Sequence, residues 1–216
     1  MLDKPGKPDK PPATVIAITA PNFQSAKVKL VGTAPLVMNK MSSANRQKMI
    51  DDMSKGSQSK KGQKRPPKDF DAVFRGAMHI SEEGWHGLPA SALRTAMVDS
   101  CRLVGFKMTI AKLSVFVEAE GFDVDDGTPL VRITKGEPVR KDLAVKLANG
   151  STDILARPFY FPWEAEPILR WDADQFSGLD VINLLARVGG QVGIGAGRPN
   201  SKNSTGMGWG LFRVES

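Results

Sequence analysis

The sequence predicts an α+β fold, and three observations support this class. Segments in which apolar and polar residues alternate with a period of two, as in half-buried strands, are interspersed with segments whose apolar residues recur every three or four positions, as in amphipathic helices. Clusters of glycine and proline separate these segments. The 216 residues suffice for one good core but are few for two full domains, so one domain is expected.

The N-terminal region is expected to begin with a disordered tail over residues 1–13. This segment contains four prolines, which neither pair in a sheet nor propagate a helix. The single domain is expected over 14–216. Its first strand is predicted at 26–31, where Lys27 and Lys29 alternate with apolar residues.

A short helix is predicted over 43–53, within a basic insertion that spans 42–70. The stretch from Lys55 to Lys68 carries six basic residues and no acidic one, and its glycine, serine and proline content predicts a surface loop. The next segment, 71–80, is compatible with a strand or with an irregular extended chain.

The first long helix is predicted to begin after Pro89, with Ser91 as its cap. Apolar residues then recur at three- and four-residue spacing until Gly105, which is expected to end the helix. Alternation over 113–118 predicts a second strand.

A short strand is predicted at 130–133, followed by an arm-like insertion over 135–157 that has the character of a hairpin. The aromatic segment 158–171 predicts another strand. Of its three prolines, Pro162 and Pro167 would confine that strand to a sheet edge or to bulges.

Ser177 and Asp180 predict a capping box at the start of a second long helix, which Gly189 and Gly190 would end. Residues 208–214 form the last predicted strand. The resulting order is βαββαβ with arm-like insertions. This order is the split βαβ plan of ferredoxin-like folds, in which the helices cover one face of the sheet.

The composition makes a polyanionic partner worth considering, because 30 Lys and Arg against 23 Asp and Glu give a net charge of +7. The single cysteine, Cys101, excludes an internal disulfide and a cysteine-rich metal site, and it fits a reducing compartment. No segment has the roughly 18 apolar residues of a membrane span, and the first residues lack the apolar run of a secretory signal. We therefore expect a cytoplasmic protein without a membrane partner.

Glycines are concentrated in GGQVGIGAGRP, residues 189–199, and in GMGWG, residues 206–210. Such density permits positive φ angles and brings backbone N–H groups close to another molecule, and Arg198 adds a forked cation that suits phosphate. Alternatively, the glycines only form tight turns and let the helix pack on the sheet. The loop follows a helix and lacks a Gly-Lys-Ser/Thr tripeptide, so it fits neither a dinucleotide fingerprint nor a Walker A loop, and no cofactor is expected.

Three segments carry a resemblance to a known family: VKLVGTAPLVM at 28–38, GLPASALRTAM at 87–97, and the C-terminal glycine-rich segment. In that order they resemble the first strand with its turn, the start of the first helix, and the glycine loop of the RAMP superfamily. Members of that superfamily form the RNA-binding backbone of CRISPR effector complexes. The ending is also similar to that of uncharacterised proteins encoded by phages and prophages.

The resemblance implies an RRM-like sheet and a non-catalytic subunit that coats single-stranded RNA or DNA as a head-to-tail oligomer in the bacterial host cytoplasm. Its implied partners are the strand, further copies of the chain, and other CRISPR or phage replication and recombination proteins. Ser91 and Arg94 stand where the family has Ser and Lys, and Gly193 to Arg198 stands where the family packs backbone against nucleic acid. Ala90 and Thr95 depart from the family, which has glycine at both positions.

The candidate nucleic-acid-binding residues are cations that would neutralise phosphates, one hydroxyl at a helix start, and glycines that let the main chain approach the strand. They are Lys27, Lys29, Lys40, Arg46, Ser91, Arg94, Arg140, Lys141, Arg157, Gly193, Gly195, Gly197, Arg198 and Lys202. No catalytic residue and no metal ligand is expected among them.

Two alternatives remain open at the level of the sequence. One is a RAMP-type endoribonuclease in which His86 acts as general acid or base, or in which Asp51 and Asp52 assist a metal. The other is a phage protein that mimics a CRISPR backbone subunit. RNA and DNA are not distinguished, because a contact to the 2′-hydroxyl has no one-residue signature.

Overall fold

The chain forms three antiparallel sheets and five α-helices in the residues that this computed structural model describes, which are 18–54, 67–146, 150–202 and 205–215. The α+β class predicted from the sequence is therefore confirmed. The expected tail and most of the basic stretch after residue 54 lie outside the described residues. None of the helices in the described ranges is both long enough and apolar enough to cross a membrane.

The strands are β1 (Phe23–Lys27), β2 (Lys29–Gly32), β3 (Leu36–Val37), β4 (Gly87–Pro89), β5 (Val115–Val117), β6 (Gly121–Phe122), β7 (Pro129–Lys135), β8 (Pro138–Lys146), β9 (Thr152–Tyr160), β10 (Glu164–Ala165), β11 (Ile168–Asp172) and β12 (Phe212–Glu215). The α-helices are α1 (Ser43–Ser54), α2 (Phe70–Gly76), α3 (Ala90–Ser100), α4 (Met108–Ser114) and α5 (Gly178–Arg187). A 3₁₀ turn (Cys101–Val104) follows α3, and a π-helical turn (Val188–Val192) follows α5.

Two of the sheets are linked because strands of one continue, after a short break, as strands of the other. Only Val28 separates β1 from β2, and its amide donates to the Pro167 oxygen at 3.0 Å. Residues 166–167 separate β10 from β11 in the same way. The line of β1 and β2 therefore runs antiparallel to the line of β10 and β11, and the sheets with strand orders β1-β11-β5 and β12-β2-β10-β7-β4 follow each other along the strand direction.

The main core lies between these strands and the helices α3 and α5. Leu30 and Leu169 from the strands and Leu93, Met97 and Leu185 from the helices are fully buried in one cluster. Burying a side chain of this size stabilises the fold by about 1.5–3 kcal/mol. Because α3 packs on both β5 and α5, and α5 packs on β12, the core fixes the start of α3 and the end of α5 relative to the sheet.

The ends of the two long helices agree only partly with the sequence prediction. Pro89, not Ser91, is the N-cap of α3, so the predicted cap is wrong and Ser91 is exposed in the first turn. Gly105 ends the 3₁₀ extension of α3 in a left-handed conformation, with φ of 68°, as predicted. The capping box that opens α5 is confirmed.

The predicted end of α5 is wrong. Gly189 and Gly190 continue the helix as a π-helical turn, and the chain leaves this turn at Gly193, where φ is 71°. A side chain at Gly189 would collide with the carbonyl oxygen and the ring of Phe212. That glycine therefore serves the close packing of the helix on the last strand rather than its termination.

Residues 71–80, where a strand or extended chain was expected, contain helix α2 instead. Asp69 provides the reason, because its side chain accepts a hydrogen bond from the amide of Ala72 at 2.9 Å and caps the helix. Residues up to Ser114 are likewise helical in α4, so the second strand begins only at Val115. The alternation of apolar and polar residues, which was used to predict strands, did not indicate helices α2 and α4.

The aromatic segment is divided between strands β9, β10 and β11. Of the two predicted alternatives, the edge position is wrong for β10 and β11, whereas a bulge is present, because the register between β10 and β7 shifts between Glu164 and Ala165. Strand β11 lies between β1 and β5, and β10 lies between β2 and β7. Pro162 and Pro167 lie in the breaks between these strands, where the missing N–H of proline interrupts no hydrogen bond of the sheet.

Strands β8 and β9 form a long hairpin, the arm hairpin, as the sequence predicts. Its nine residue pairs run from Pro138 opposite Tyr160 to Lys146 opposite Thr152. At its base, β3 pairs with β9, with Leu36 opposite Tyr160. Helix α2 packs against β9 and supports the hairpin.

Candidate nucleic-acid interface

The segment from Gly193 to Arg198, the glycine loop, runs from the end of α5 across the base of the arm hairpin. Gly193, Gly195 and Gly197 have φ angles of 71°, 77° and 70°. A Cβ at Gly195 would lie 2.6 Å from the Val37 oxygen, so this position requires glycine for both its backbone conformation and its close approach to β3.

Three amides of the glycine loop donate to main-chain oxygens. Gly193 donates to the Val188 oxygen at 2.7 Å, Ile194 donates to the Gly210 oxygen at 3.0 Å, and Ala196 donates to the Val37 oxygen at 2.8 Å. Among the described residues, the amides of Gly195, Gly197 and Arg198 have no acceptor. The loop is thus held on both sides while three of its N–H groups are available to bind another molecule.

A groove of about 250 Å³, the loop–helix groove, separates the glycine loop from the start of α3. Its lining residues are Leu36, Met38, Asn39, His79, Leu88, Pro89, Ala92, Ile194, Gly195, Ala196 and Arg198. The groove is smaller than the roughly 300–1,000 Å³ of pockets that enclose drug-sized ligands. It is therefore too small to enclose a ligand of that size.

Arg198 is the cation of this groove. The side chain is half-buried, and its Nη1 donates to the Gly195 oxygen at 3.0 Å. No carboxylate of the described chain pairs with Arg198. The other N–H donors of the guanidinium are available to bind an anion.

The arm hairpin adds two more cations without carboxylate partners in the described part of the chain, Lys141 and Arg157. They stand opposite each other in the register of β8 and β9, so both side chains project from the same face. Burial lowers the pKa of the half-buried Arg157 from its usual value, yet an arginine remains protonated at neutral pH. A positive charge that is partly desolvated and unpaired attracts a phosphate more strongly than a fully hydrated one does.

Aromatic rings connect this face of the arm hairpin to the glycine loop. Phe159 lies two residues along β9 from Arg157 and therefore projects from the same face. Its ring packs edge-to-face on Trp209, with the ring centroids 4.9 Å apart. Trp209 in turn lies against Gly197, where a Cβ would collide with the indole.

Five other candidate cations are already paired with carboxylates. On the sheet face that points away from α3 and α5, Lys27 pairs with Glu166 at 2.8 Å, and Lys29 lies 3.1 Å from Glu164 and 3.4 Å from Glu215. These exposed pairs contribute little stability, but they neutralise the face. That surface offers a strand little net attraction.

Lys40, Arg46 and Arg140 are paired more closely. Lys40 is buried, with its Nζ 2.5 Å from Asp123 and 2.6 Å from Asp125. Arg46 lies 2.6 Å from Asp126. Arg140 lies 2.6 Å from Asp71 and 2.9 Å from Asp142.

Ser91 and Arg94 face a different surface from the loop–helix groove. Arg94 donates from Nε to the Val115 oxygen at 2.9 Å and from Nη2 to the Lys112 oxygen, and it covers the ring of Phe116. Ser91 lines the same depression as Arg94, on the far side of α3. Lys202 is exposed in the turn after the glycine loop.

The sequence analysis missed a buried cluster formed by Lys40, His79 and Asp123. The Asp123 carboxylate accepts from Lys40 and lies 2.8 Å from the Nδ1 atom of His79. These residues come from three distant segments, so no spacing in the sequence could have revealed the cluster. His79 also lines the loop–helix groove.

His86, the residue considered for catalysis, lies outside the lining of the groove. Its Nδ1 is 3.0 Å from the Tyr160 hydroxyl, and burial lowers the pKa of this imidazole. Asp51 accepts a hydrogen bond from Gln47 one turn away on α1. In the described residues no three His, Cys, Asp or Glu side chains are grouped so as to hold a metal ion.

Comparison with known protein families and curated proteins gave no match. No model of a known protein family matches the chain, and no curated protein is significantly similar to it in sequence.

Proposed function

We propose that this chain binds single-stranded nucleic acid without cleaving it, along a path from the loop–helix groove to the face of the arm hairpin that carries Lys141 and Arg157. One observation carries the proposal. Of the candidate cations in the described residues, Lys27, Lys29, Lys40, Arg46 and Arg140 are all paired with carboxylates, whereas those at the glycine loop and on this hairpin face are not. Arg94 also lacks a carboxylate partner, but its guanidinium donates to the main-chain oxygens of Val115 and Lys112 on the far side of α3. Unpaired cations release counterions when they bind phosphates, and this release drives binding.

A single strand suits this path better than a duplex does. The groove has room for one sugar-phosphate unit, and the rings of Phe159 and Trp209 lie between the groove cation and the hairpin cations. Bases of a single strand are free to stack on such rings, whereas those of a duplex are not.

The strand order supports a ferredoxin-like, RRM-like core within the α+β fold. The order β12-β2-β10-β7, with α3 following the first strand line and α5 following the line of β10 and β11, is compatible with the βαββαβ plan. Together with the resemblance to the RAMP superfamily, this order leads us to include a backbone role in the proposal. Such a role means head-to-tail association of copies along RNA or single-stranded DNA in the bacterial cytoplasm, with CRISPR or phage proteins as further partners.

The salt dependence of binding tests the proposal. Fluorescence anisotropy with a labelled 30-mer should show an affinity that falls with rising salt. For single strands, each phosphate contact lowers log affinity by about 0.7 for every tenfold rise in salt concentration. Three contacts therefore predict a slope of about −2 in a plot of log affinity against log salt. Purified protein that binds neither RNA nor DNA, or binds with no salt dependence, contradicts the proposal. If such a protein co-purifies with a CRISPR complex, it favours the mimic of a backbone subunit instead.

A further inference from the structure

We infer that His79 selects RNA over DNA by accepting a hydrogen bond from one ribose 2′-hydroxyl in the loop–helix groove. The inference rests on the proposed function, and it names the substrate class of the same site. It follows from the two nitrogens of one imidazole, from the charges around it, and from the donors that line the same groove.

The first step concerns the tautomer of His79. Its Nδ1 lies 2.8 Å from an oxygen of Asp123, whose side chain is fully buried. An ionised carboxylate only accepts hydrogen bonds, so Nδ1 must carry the hydrogen. In the neutral imidazole Nε2 is then an acceptor, and it has no partner among the described residues of a side chain that lines the groove.

The second step concerns the charge of His79. Burial lowers the pKa of the imidazole from its usual value, although Asp123 acts in the opposite direction. The Asp123 charge is already shared with Lys40, whose ammonium lies 2.5 Å away and itself disfavours a second cation. Asp126 adds a weaker attraction, and Arg198 lines the same groove as a further cation. At neutral pH His79 is therefore uncharged.

The third step compares the lining of the groove with the two kinds of sugar. The glycine loop and Arg198 present donors, which match phosphate oxygens. His79 lines the same groove, and its Nε2 acceptor does not bind a phosphate oxygen, which is an acceptor too. A deoxyribose within a strand has no hydroxyl donor, whereas each ribose has one at its 2′ position. Donors and acceptor together thus match a ribose with its phosphate.

The test compares three 30-mers of one sequence, made of RNA, of 2′-fluoro RNA and of DNA. The 2′-fluoro strand keeps the sugar pucker of RNA but lacks the donor. The protein should bind RNA about fivefold more tightly than either other strand, since one neutral hydrogen bond contributes about 1 kcal/mol and 1.4 kcal/mol corresponds to a factor of ten. His79→Phe should remove this preference, while the matched variant His86→Phe should retain it.

Acidification provides a second measurement that needs no variant. Below the lowered pKa of His79, its Nε2 becomes a donor, so the preference for RNA should vanish while affinity for all three strands rises. Equal affinities of the unmodified protein for RNA and 2′-fluoro RNA at neutral pH overturn this inference and leave strand binding intact. A preference that survives in His79→Phe overturns the role of His79, and failure to bind any strand overturns both proposals.

Discussion

Replacing Asp123 by alanine is expected to lower the free energy of unfolding by about 3–5 kcal/mol, because it leaves a buried ammonium without its partner. The side chains of Lys40 and Asp123 are 3% and 0% exposed, and Lys40 retains only the partly exposed Asp125 after the substitution. His79 loses its partner as well. Urea denaturation measures the change directly.

The matched control is Asp142→Ala, which breaks an exposed pair with Arg140 on the arm hairpin. Surface pairs of this kind contribute little stability, so this variant should unfold almost like the unchanged protein. A loss below 1 kcal/mol for Asp123→Ala would contradict the buried charge cluster.

The pH dependence of stability has a definite sign at this cluster. Burial alone would raise the pKa of Asp123, but hydrogen bonds from Lys40, the Asp125 amide and His79 hold it below its usual value. The carboxylate therefore stabilises the fold fully at neutral pH. This contribution is lost as the pH falls through the lowered pKa of Asp123.

The double variant Arg157→Ala, Arg198→Ala is expected to weaken binding of a labelled single strand about 100-fold near physiological salt. Each arginine offers charged hydrogen bonds to phosphate of about 1.5 kcal/mol or more, and 1.4 kcal/mol corresponds to a factor of ten. Neither side chain supports a carboxylate in the described residues, so the substitutions leave no buried acid unpaired. Anisotropy gives the affinity, and urea denaturation should confirm that the fold is retained.

The matched control removes the same number of charges from the paired face of the sheet. Lys27→Ala, Lys29→Ala should change affinity no more than about threefold, because these cations are already neutralised by Glu164, Glu166 and Glu215. Equal losses in the two double variants would mean that net charge, and not the proposed path, governs binding.

Local sequence signals predicted the parts of the fold that depend on neighbouring residues. The Ser177 and Asp180 capping box, the stop at Gly105 and the long hairpin around residues 138–160 each follow from a few adjacent side chains. The helices α2 and α4 were missed because each has only 7 residues, too few for a helical period to appear. The central place of β10 and β11 depends on partners far along the chain.

The glycine loop of the candidate site was predictable from the sequence, and Lys141 and Arg157 were among the candidate cations, but nothing in the sequence separated these two from the cations that are paired. The density of glycines and the presence of Arg198 identify the loop, and the structure places it beside a groove. Which lysines and arginines stay unpaired is decided by carboxylates distant in sequence, as for Lys29 with Glu215 and Lys40 with Asp123. No local pattern carries that information, and the same is true of the position of His79.

Mapping of ultraviolet cross-links between the chain and a bound 30-mer tests the central claim most directly, because it locates the strand on the surface without any substitution. The account predicts cross-links in peptides that contain Phe159 and Trp209, at the base of the arm hairpin and beside the glycine loop. Cross-links confined to Phe23 and Phe116, whose rings lie under the Arg170 guanidinium, would place the strand on a different surface and contradict the proposed path.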